Sequence, residues 1–313
     1  MITLNGTHDM PLSPKGTVVT IGNFDGLHIG HRRIISELQQ MAQSIGASTA
    51  VMTFRPHPRQ FLRPEIGLKR LFSHRDQEDQ LRQLGVNYLV VQPFSRELSE
   101  TPALTFIEDY IVKPFALKGL VVGYDFSFGA RREGTLNLLQ NVSQAGGWQL
   151  AVIPAAKIGD QIVSSSQVRS SIEQGQFALV RKMLGRHFYV EGVVERGDGR
   201  GQSIGIPTAN ISPGEETVPP TGVYVTQVAV GGVVRRSVTN IGRAPTFKRL
   251  NAEVKIETHL LDVSQDLYGQ RLKVEFLARL RSEKKFASAN DLVDQLKKDL
   301  TSARDWSFDN LSP

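Results

Sequence analysis

The stretch Val18-Val19-Thr20-Ile21-Gly22-Asn23-Phe24-Asp25-Gly26-Leu27-His28-Ile29-Gly30-His31 restricts this chain more than any other. A β-branched run stops at a glycine, crosses a polar turn and reaches two histidines one helical turn apart. There a 3.6-residue apolar period opens at Ile34, Leu38, Met41 and Ile45. The pattern reads as strand, tight loop and helix N-terminus. A helix start offers unpaired backbone N–H groups and a partial positive charge, which suits phosphate. On residue type alone, His28 and His31 fit metal ligation, base chemistry or phosphate contact. No carboxylate stands at the spacing of a His-Glu-x-x-His zinc helix, and the glycine-bounded helix start favours phosphate. Helix-end electrostatics supply at most ~2 kcal/mol, whereas enzymes lower barriers by about 8 kcal/mol or more. Further cations are therefore needed, and Arg169 is a candidate.

Strand and helix signals alternate through the first half. Ala47–Phe54 reads as a strand leading to Arg55-Pro56-His57-Pro58-Arg59, where two prolines hold His57 in an extended loop. Ser73 with Asp76 caps a helix through Leu84, Asn87–Val91 is a strand, and Thr101-Pro102 starts a helix expected to stop before Pro114. Leu120–Gly123 is a strand, followed by the aromatic, glycine- and arginine-rich loop Tyr124–Arg132, a helix near Leu136–Gln144 and a strand Gln149–Ile153. This order predicts a doubly wound parallel sheet with ligands at the carboxyl ends of its strands. With Ser166 as N-cap, the Ser164-Ser165-Ser166 run starts a helix that carries Arg169 in its first turn, a position that an anion would favour.

The pattern changes near Gly185. From Phe188 onward short alternating segments appear at 189–194, 223–228, 233–238, 254–261 and 272–280. Val254, Ile256, Thr258 and Leu260 share one face of their segment, and Leu272, Val274 and Phe276 share one face of the next. One buried and one wet face predict an antiparallel sheet or small barrel, completed by a helix capped by Ser288 with Asp291. If Pro207-Thr208-Ala209-Asn210 is extended, Thr208 and Asn210 point to one side, where a hydroxyl and an amide oxygen serve one hard cation; a turn with a capping Asn is the plainer reading.

A length of 313 residues fits two domains, with boundaries expected at 1–185 and 186–313, and 40% hydrophobic residues are enough for packed cores. The absence of cysteine excludes disulfides, thiolate zinc sites and a cysteine nucleophile. No apolar run approaches the roughly 18 residues of a membrane span, and no signal-like leader opens the chain, so a cytoplasmic protein without membrane contact is expected. The net charge of +6 is scattered among acids, without the basic tract or aromatic interleaving of a nucleic-acid groove. Small anionic substrates fit better. No feature sets an oligomeric state.

Eight elements in order carry a resemblance that runs almost end to end. Gly22–His31, Phe54-Arg55-Pro56-His57-Pro58, Gly123–Gly129 and Ser164–Arg169 resemble the nucleotidyltransferase signatures of the bacterial bifunctional riboflavin kinase/FMN adenylyltransferase (FAD synthetase) family. Pro207–Asn210, Asn240-Ile241-Gly242, Pro245-Thr246-Phe247 and Glu257–Asp262 are similar to its kinase signatures. The resemblance implies a Rossmann-like nucleotidyltransferase domain with a parallel sheet, then a small antiparallel β-barrel with a C-terminal helix. It implies two reactions with ATP and Mg²⁺, riboflavin to FMN in the second domain and FMN to FAD plus pyrophosphate in the first.

By that resemblance Glu257, His28, His31 and Arg169 are catalytic. Gly22, Asn23, Phe24, Asp25, Gly30, Ser164, Ser165, Ser166, Thr208 and Asn210 bind ATP, with Thr208 and Asn210 also at the metal; His57, Pro58, Tyr124, Asp125, Phe126 and Phe128 lie near the flavin. Two departures stand out. Gln202 occupies a kinase-loop position where the family carries arginine, with Arg200 near enough in sequence to compensate, and Ser166 replaces a threonine. Two readings compete with the bifunctional one: an adenylyltransferase with a weak kinase module, and a non-catalytic flavin-binding regulator.

Overall fold

The computed structural model describes residues 1–11, 14–197, 201, 204–214, 216–244, 253–263 and 265–307. Asp198, Gly199, Arg200, Gln202 and Ser203 of the kinase loop, and the Pro245-Thr246-Phe247 element, lie outside the described residues. The chain forms two compact units, Met1–Ser164 and Ser165–Pro313.

In the first unit β1 (Ile2–Leu4), β2 (Thr17–Ile21), β3 (Ser48–Arg55), β4 (Tyr88–Pro93), β5 (Leu117–Gly123) and β6 (Gln149–Ile153) form one sheet in the order β1-β4-β3-β2-β5-β6. Every neighbouring pair in it is parallel. Successive side chains of a strand point to opposite faces, and here both faces are covered, which is why the strands read as unbroken apolar runs. Val19, Ala50, Met52, Val90 and Leu120 pack on one side with Phe106, Phe115 and Trp148. Val18, Val51, Leu89 and Val121 pack on the other with Ile35, Leu38 and Met41 of α1 (Ile29–Ile45) and Leu81 of α2 (His74–Gln83). Burying one such leucine contributes about 1.5–3 kcal/mol. Helix α3 (Leu136–Gly146) adds Leu139 to the first of these clusters.

Chain order runs from β2 outward through β3 and β4 on one side and through β5 and β6 on the other. The sheet therefore reverses direction between β2 and β5, the place where a doubly wound fold leaves a crevice. The helix expected to end before Pro114 does not. After Ala103–Ile107 it widens into a π-turn at Glu108–Val112 and continues through Lys113–Phe115. Proline has no N–H to place, and the wide turn admits its ring.

A small antiparallel hairpin, β7 (Lys157–Ile158) with β8 (Gln161–Ile162), precedes the second unit. That unit opens with α4 (Ser165–Glu173) and α5 (Phe177–Leu184). Helix α4 begins at Ser165, two residues earlier than a Ser166 cap requires, so Arg169 is its fifth residue and not in the first turn. Next come β9 (Phe188–Glu195), β10 (Ala209–Ile211), β11 (Gly222–Val230), β12 (Val233–Ala244), β13 (Glu253–Leu260) and β14 (Arg271–Arg281), closed as a barrel in the order β10-β13-β12-β11-β14-β9. All its pairs are antiparallel. Phe177 of α5 stacks on Phe276 at 5.6 Å and meets Tyr224 edge-on at 5.7 Å, so the segment before Gly185 packs with the β structure that follows it.

The alternation read from the sequence holds for Ile256, Thr258 and Leu260 and for Leu272, Val274 and Phe276, all buried. It breaks at Leu277, where a bulge lets Val225 pair with Ala278 and Thr226 with Phe276. The extra residue turns Leu277 and Ala278 to the side where Val225, Val238 and α6 (Ala289–Arg304) gather, so part of the expected wet face is covered by a helix. Helix α6 carries the expected capping box of Ser288 and Asp291. It is tied to β14 by Asp299, 5% exposed, which accepts from Arg281 Nη2 at 2.7 Å and from Gln295 Nε2 at 3.0 Å.

Candidate active sites

The loop after β2 is held by its backbone. Gly22 donates to Met52 O at 3.0 Å, Asn23 O accepts from Gln77 Nε2 at 2.7 Å, and Asp25, 2% exposed, accepts from Leu71 N at 3.0 Å. Phe24 and Leu27 adopt positive φ and are both buried, a conformation that packing must hold in place. The loop delivers His28 as the N-cap of α1, where its Nδ1 accepts from the His31 backbone N–H at 3.3 Å. An accepting Nδ1 leaves the ring proton on Nε2.

His31 stacks on His28 with ring centres 3.7 Å apart and planes 14° from parallel. Its Nδ1 is buried without a hydrogen-bond partner. Burial first, and the neighbouring His28 second, hold its pKa well below the ordinary 6.5, so the ring is neutral at pH 7. Gly30 is required by this stack. A Cβ there would lie 3.1 Å from His28 Cε1.

A cavity of about 830 Å³ opens at these residues, within the roughly 300–1,000 Å³ of small-molecule sites. It collects residues following four of the parallel strands: Gly22, Asn23, Phe24, His28, Gly30 and His31 after β2; His57 and Pro58 after β3; Tyr124, Asp125, Phe126 and Phe128 after β5; and Ser164 beyond β6. Every flavin candidate from the sequence lines this cavity. Of the nucleotide candidates in this unit Asp25 does not line it, because its carboxylate is spent on the Leu71 backbone. Asn23 Oδ1 and His31 Nδ1 are buried polar atoms without partners, both on residues of the cavity wall. Ser165, Ser166 and Arg169 belong to the second unit, on α4.

His57 is extended, as its prolines require, and it also caps a short helix. Pro58 opens Pro58–Leu62, and His57 Nδ1 accepts from Arg59 N at 3.0 Å. His28 and His57 thus both commit Nδ1 to backbone.

Sequence reasoning missed Arg59, Arg63, Arg131 and Arg132, and the rings of Phe94 and Phe106. Arg59, Arg131 and Arg132 were visible inside loops already singled out, and Arg63 lies just beyond the first of them. Phe94 and Phe106 carry no local signal and reach the cavity only through the fold; Phe54 meets Phe94 edge-on at 5.8 Å, and Phe106 lies 6.0 Å from Phe128. Arg131 and Arg132 both have positive φ, and Arg132 Nε donates to Ser127 Oγ at 2.8 Å. Their loop is braced by Ala130 N donating to Thr101 O and by Ala103 N donating to Glu133 Oε1, each at 2.8 Å.

The second site lies on the barrel wall. β10 and β12 flank β13, with Asn210 opposite Glu257 and Asn240 opposite the same Glu257. Residues directly opposite share a face with Cβ atoms about 5 Å apart, so Asn210, Glu257 and Asn240 form one row. Thr208 stands just before β10, and the Asn210 amide turns back to the Thr208 carbonyl at 3.5 Å. Gly197 runs close beneath, where any Cβ would overlap the Asn210 side chain. The opposite face of these strands is a buried hydroxyl chain: Ser237 to Thr226 at 2.7 Å, Thr226 to Thr239 at 2.7 Å, and Thr239 to Thr258 at 3.0 Å. Among the described residues no group of three or more His, Cys, Asp or Glu gathers to hold a metal.

The FAD synthetase family model matches residues 10–167, and the riboflavin kinase family model matches residues 184–307. The bifunctional riboflavin kinase/FMN adenylyltransferase of Escherichia coli (strain K12) is 35% identical over 308 residues, covering 98% of each chain. The protein of the same description from Bacillus subtilis (strain 168) is 35% identical over 317 residues, covering 99% of each. A crystal structure described as a macrolide-efflux protein from Streptococcus pneumoniae matches with a TM-score of 0.89 and 30% identity, covering 98% of this chain and 100% of that one. Both halves are matched, which favours two activities over an adenylyltransferase alone or a non-catalytic binder. The chain belongs to the family of bifunctional riboflavin kinase/FMN adenylyltransferases.

Proposed function

We propose that the family's two reactions are divided between the two sites described above, with adenylylation of FMN in the α/β unit and phosphorylation of riboflavin on the barrel wall. The observation that carries the reading is the stacked His28/His31 pair at the head of α1, with His31 neutral, inside the cavity at the β2/β5 reversal. In that cavity a phosphate oxygen of FMN attacks the α-phosphorus of ATP, a P–O bond forms, and the bond to the departing pyrophosphate breaks. A phosphate nucleophile has no proton to lose, so this site needs donors and no base. His28 and His31 supply imidazole N–H groups, and the start of α1 supplies backbone dipoles. Ser164, Ser165, Ser166 and Arg169 serve the departing pyrophosphate, and His57, Pro58, Tyr124, Asp125, Phe126 and Phe128 flank the flavin. Asp25 supports the loop by accepting from the Leu71 backbone.

On the barrel the riboflavin 5′-hydroxyl attacks the γ-phosphorus of ATP, Glu257 takes its proton, and ADP leaves. Thr208 and Asn210 offer a hydroxyl and an amide oxygen, the hard, neutral donors that suit Mg²⁺ arriving with a nucleotide, its remaining ligands being phosphate oxygen and water. The bound cation would neutralise charge on the transferring phosphoryl group. Asn210 and Asn240 flank Glu257 on the neighbouring strands.

The sequence changes character at 185/186, whereas the second compact unit begins at Ser165; we assign α4 and α5 structurally to the barrel and Ser165, Ser166 and Arg169 chemically to the adenylyl transfer. Among the described residues no helix is long and apolar enough to cross a membrane, so the efflux named for the Streptococcus pneumoniae protein is not carried over. A cytoplasmic enzyme acting on small molecules and not on nucleic acid fits this reading. Incubating the full chain with riboflavin and Mg-ATP and separating the flavins over time tests it. FMN followed by FAD is expected; FAD appearing only when FMN is supplied would remove the kinase assignment.

A further inference from the structure

We infer that His259 is a positioning residue of the kinase site, whose ring fixes the Pro207-Thr208 segment to β13 and so sets Thr208 and Asn210 at the same distance from Glu257 in every turnover. The inference rests on the placement of Thr208 and Asn210 at the metal–nucleotide.

Strand β10 is sparsely tied at its start. It is a strand of three residues, paired to β13 at Ala209–Thr258, Asn210–Glu257 and Ile211–Ile256, and to β9 only at Asn210 and Ile211. The ladder ends at Ala209, immediately after Thr208. Continuing the antiparallel register by one residue would bring Thr208 opposite His259. Pro207 has no N–H and cannot extend a ladder. At that point the His259 ring reaches across, with Nδ1 2.7 Å from Pro207 O. A carbonyl only accepts, so Nδ1 carries the proton and donates it. The ring thus supplies the bond that the backbone cannot.

Strand periodicity gives this bond its functional sense. His259 is two residues from Glu257 on one strand, so both lie on the same face. One rigid strand then carries the carboxylate that takes the proton and holds the segment that meets the nucleotide. On its upstream side the segment is fastened to Gly201, whose carbonyl accepts from Ile206 N at 2.8 Å. His259 is the fastening on the β13 side. It touches no reacting atom in this arrangement; it acts through Thr208.

The test uses the full chain, with FMN formation at saturating riboflavin and varied Mg-ATP, and FAD formation from supplied FMN as the internal control. H259A should raise the KM for ATP in FMN formation by about two- to tenfold, the weight of one hydrogen bond, and change kcat less. FAD formation should not change. H259N keeps an N–H donor at the place of Nδ1 and should return KM to within about twofold of the parent, whereas H259Q moves the donor one atom outward and should behave as H259A does. In a T208A background H259A should add nothing. An unchanged KM in H259A, an H259N as impaired as H259A, or additive effects of T208A and H259A would each overturn the inference. If H259A loses the barrel's thermal transition, the H259N and H259Q pair decides by the same criterion. A T208A variant with the parent's KM for ATP would overturn the underlying placement instead, which separates that failure from failure of the role given to His259.

Discussion

The α/β unit and the barrel hold the same kind of ligand by opposite means. In the α/β unit, on the proposed reading, the phosphate contacts come from loops and a helix start. Its parallel strands end together, their loops converge on one cavity, and a helix start with two imidazoles faces it. In the barrel the strands themselves carry the site: Asn210, Glu257 and Asn240 stand in a row across three strands, fixed by register. The difference follows the chemistry. Adenylyl transfer from a phosphate nucleophile needs donors around a charge, which a helix N-terminus gives. Phosphorylation of a hydroxyl needs a base at a set place, and the proposal gives that part to Glu257, a strand residue between two amides.

The strongest way to break that comparison is to disable each site alone. H31A should lower FAD formation by about 10²–10³, the usual cost of a removed transition-state donor, with FMN formation intact. E257Q should lower FMN formation by about 10²–10⁴, the usual contribution of a general base, and leave FAD formation from supplied FMN intact. Chromatography of the flavins reads both, and equal loss of both steps in each variant would contradict separate sites.

Next in size is the fastening of the barrel to its helix. D299A leaves the Arg281 guanidinium buried at 13% exposure without its partner and should cost about 3–5 kcal/mol in the barrel's unfolding transition. Denaturant melts followed at Trp306, which lies beside Arg236 at 5.0 Å, check this. A loss confined to the α/β unit would be the wrong result.

R131A and R132A should each raise the KM for FMN about tenfold, the weight of a charged hydrogen bond, and affect ATP less. They should leave riboflavin phosphorylation unchanged. Equal effects on FMN and ATP would place these arginines at the nucleotide instead.

The smallest effect is a slope. The folded His31 refuses a proton that the unfolded chain accepts below about pH 6.5, so its contribution destabilises the α/β unit progressively as pH falls below that value and vanishes above it. H31N should flatten the stability-against-pH curve on that acid side by up to about 1.4 kcal/mol per pH unit. An unchanged slope would show a ring that protonates freely when folded.

The strand-helix order of the first unit was legible because parallel strands buried on both faces read as apolar runs, and because caps such as Ser73 with Asp76 are local. The His28/His31 element was legible for the same reason, since strand, loop and helix start are contiguous. Three things were not. The π-turn that carries a helix through Pro114 depends on packing around Ile111 and Phe115. The bulge at Leu277 reverses a facing that alternation alone predicts, and only the pairing partner reveals it. Strand β10 is too short to leave a periodicity, and only the strand pairing shows that Asn210 stands opposite Glu257.

The stacking of Phe177 on Phe276 bears on how such a chain can be taken apart or put together. The family models end at residue 167 and resume at residue 184, so Phe177 falls in the gap between them. A piece cut at Arg186 would retain all six barrel strands and still bare one face of Phe276 and an edge of Tyr224. A piece cut at Ser165 would bring its own cover. The structural start of the barrel unit therefore lies before α4, some twenty residues upstream of where the sequence changes its rhythm, and a cut there would carry Ser165, Ser166 and Arg169 away with the barrel.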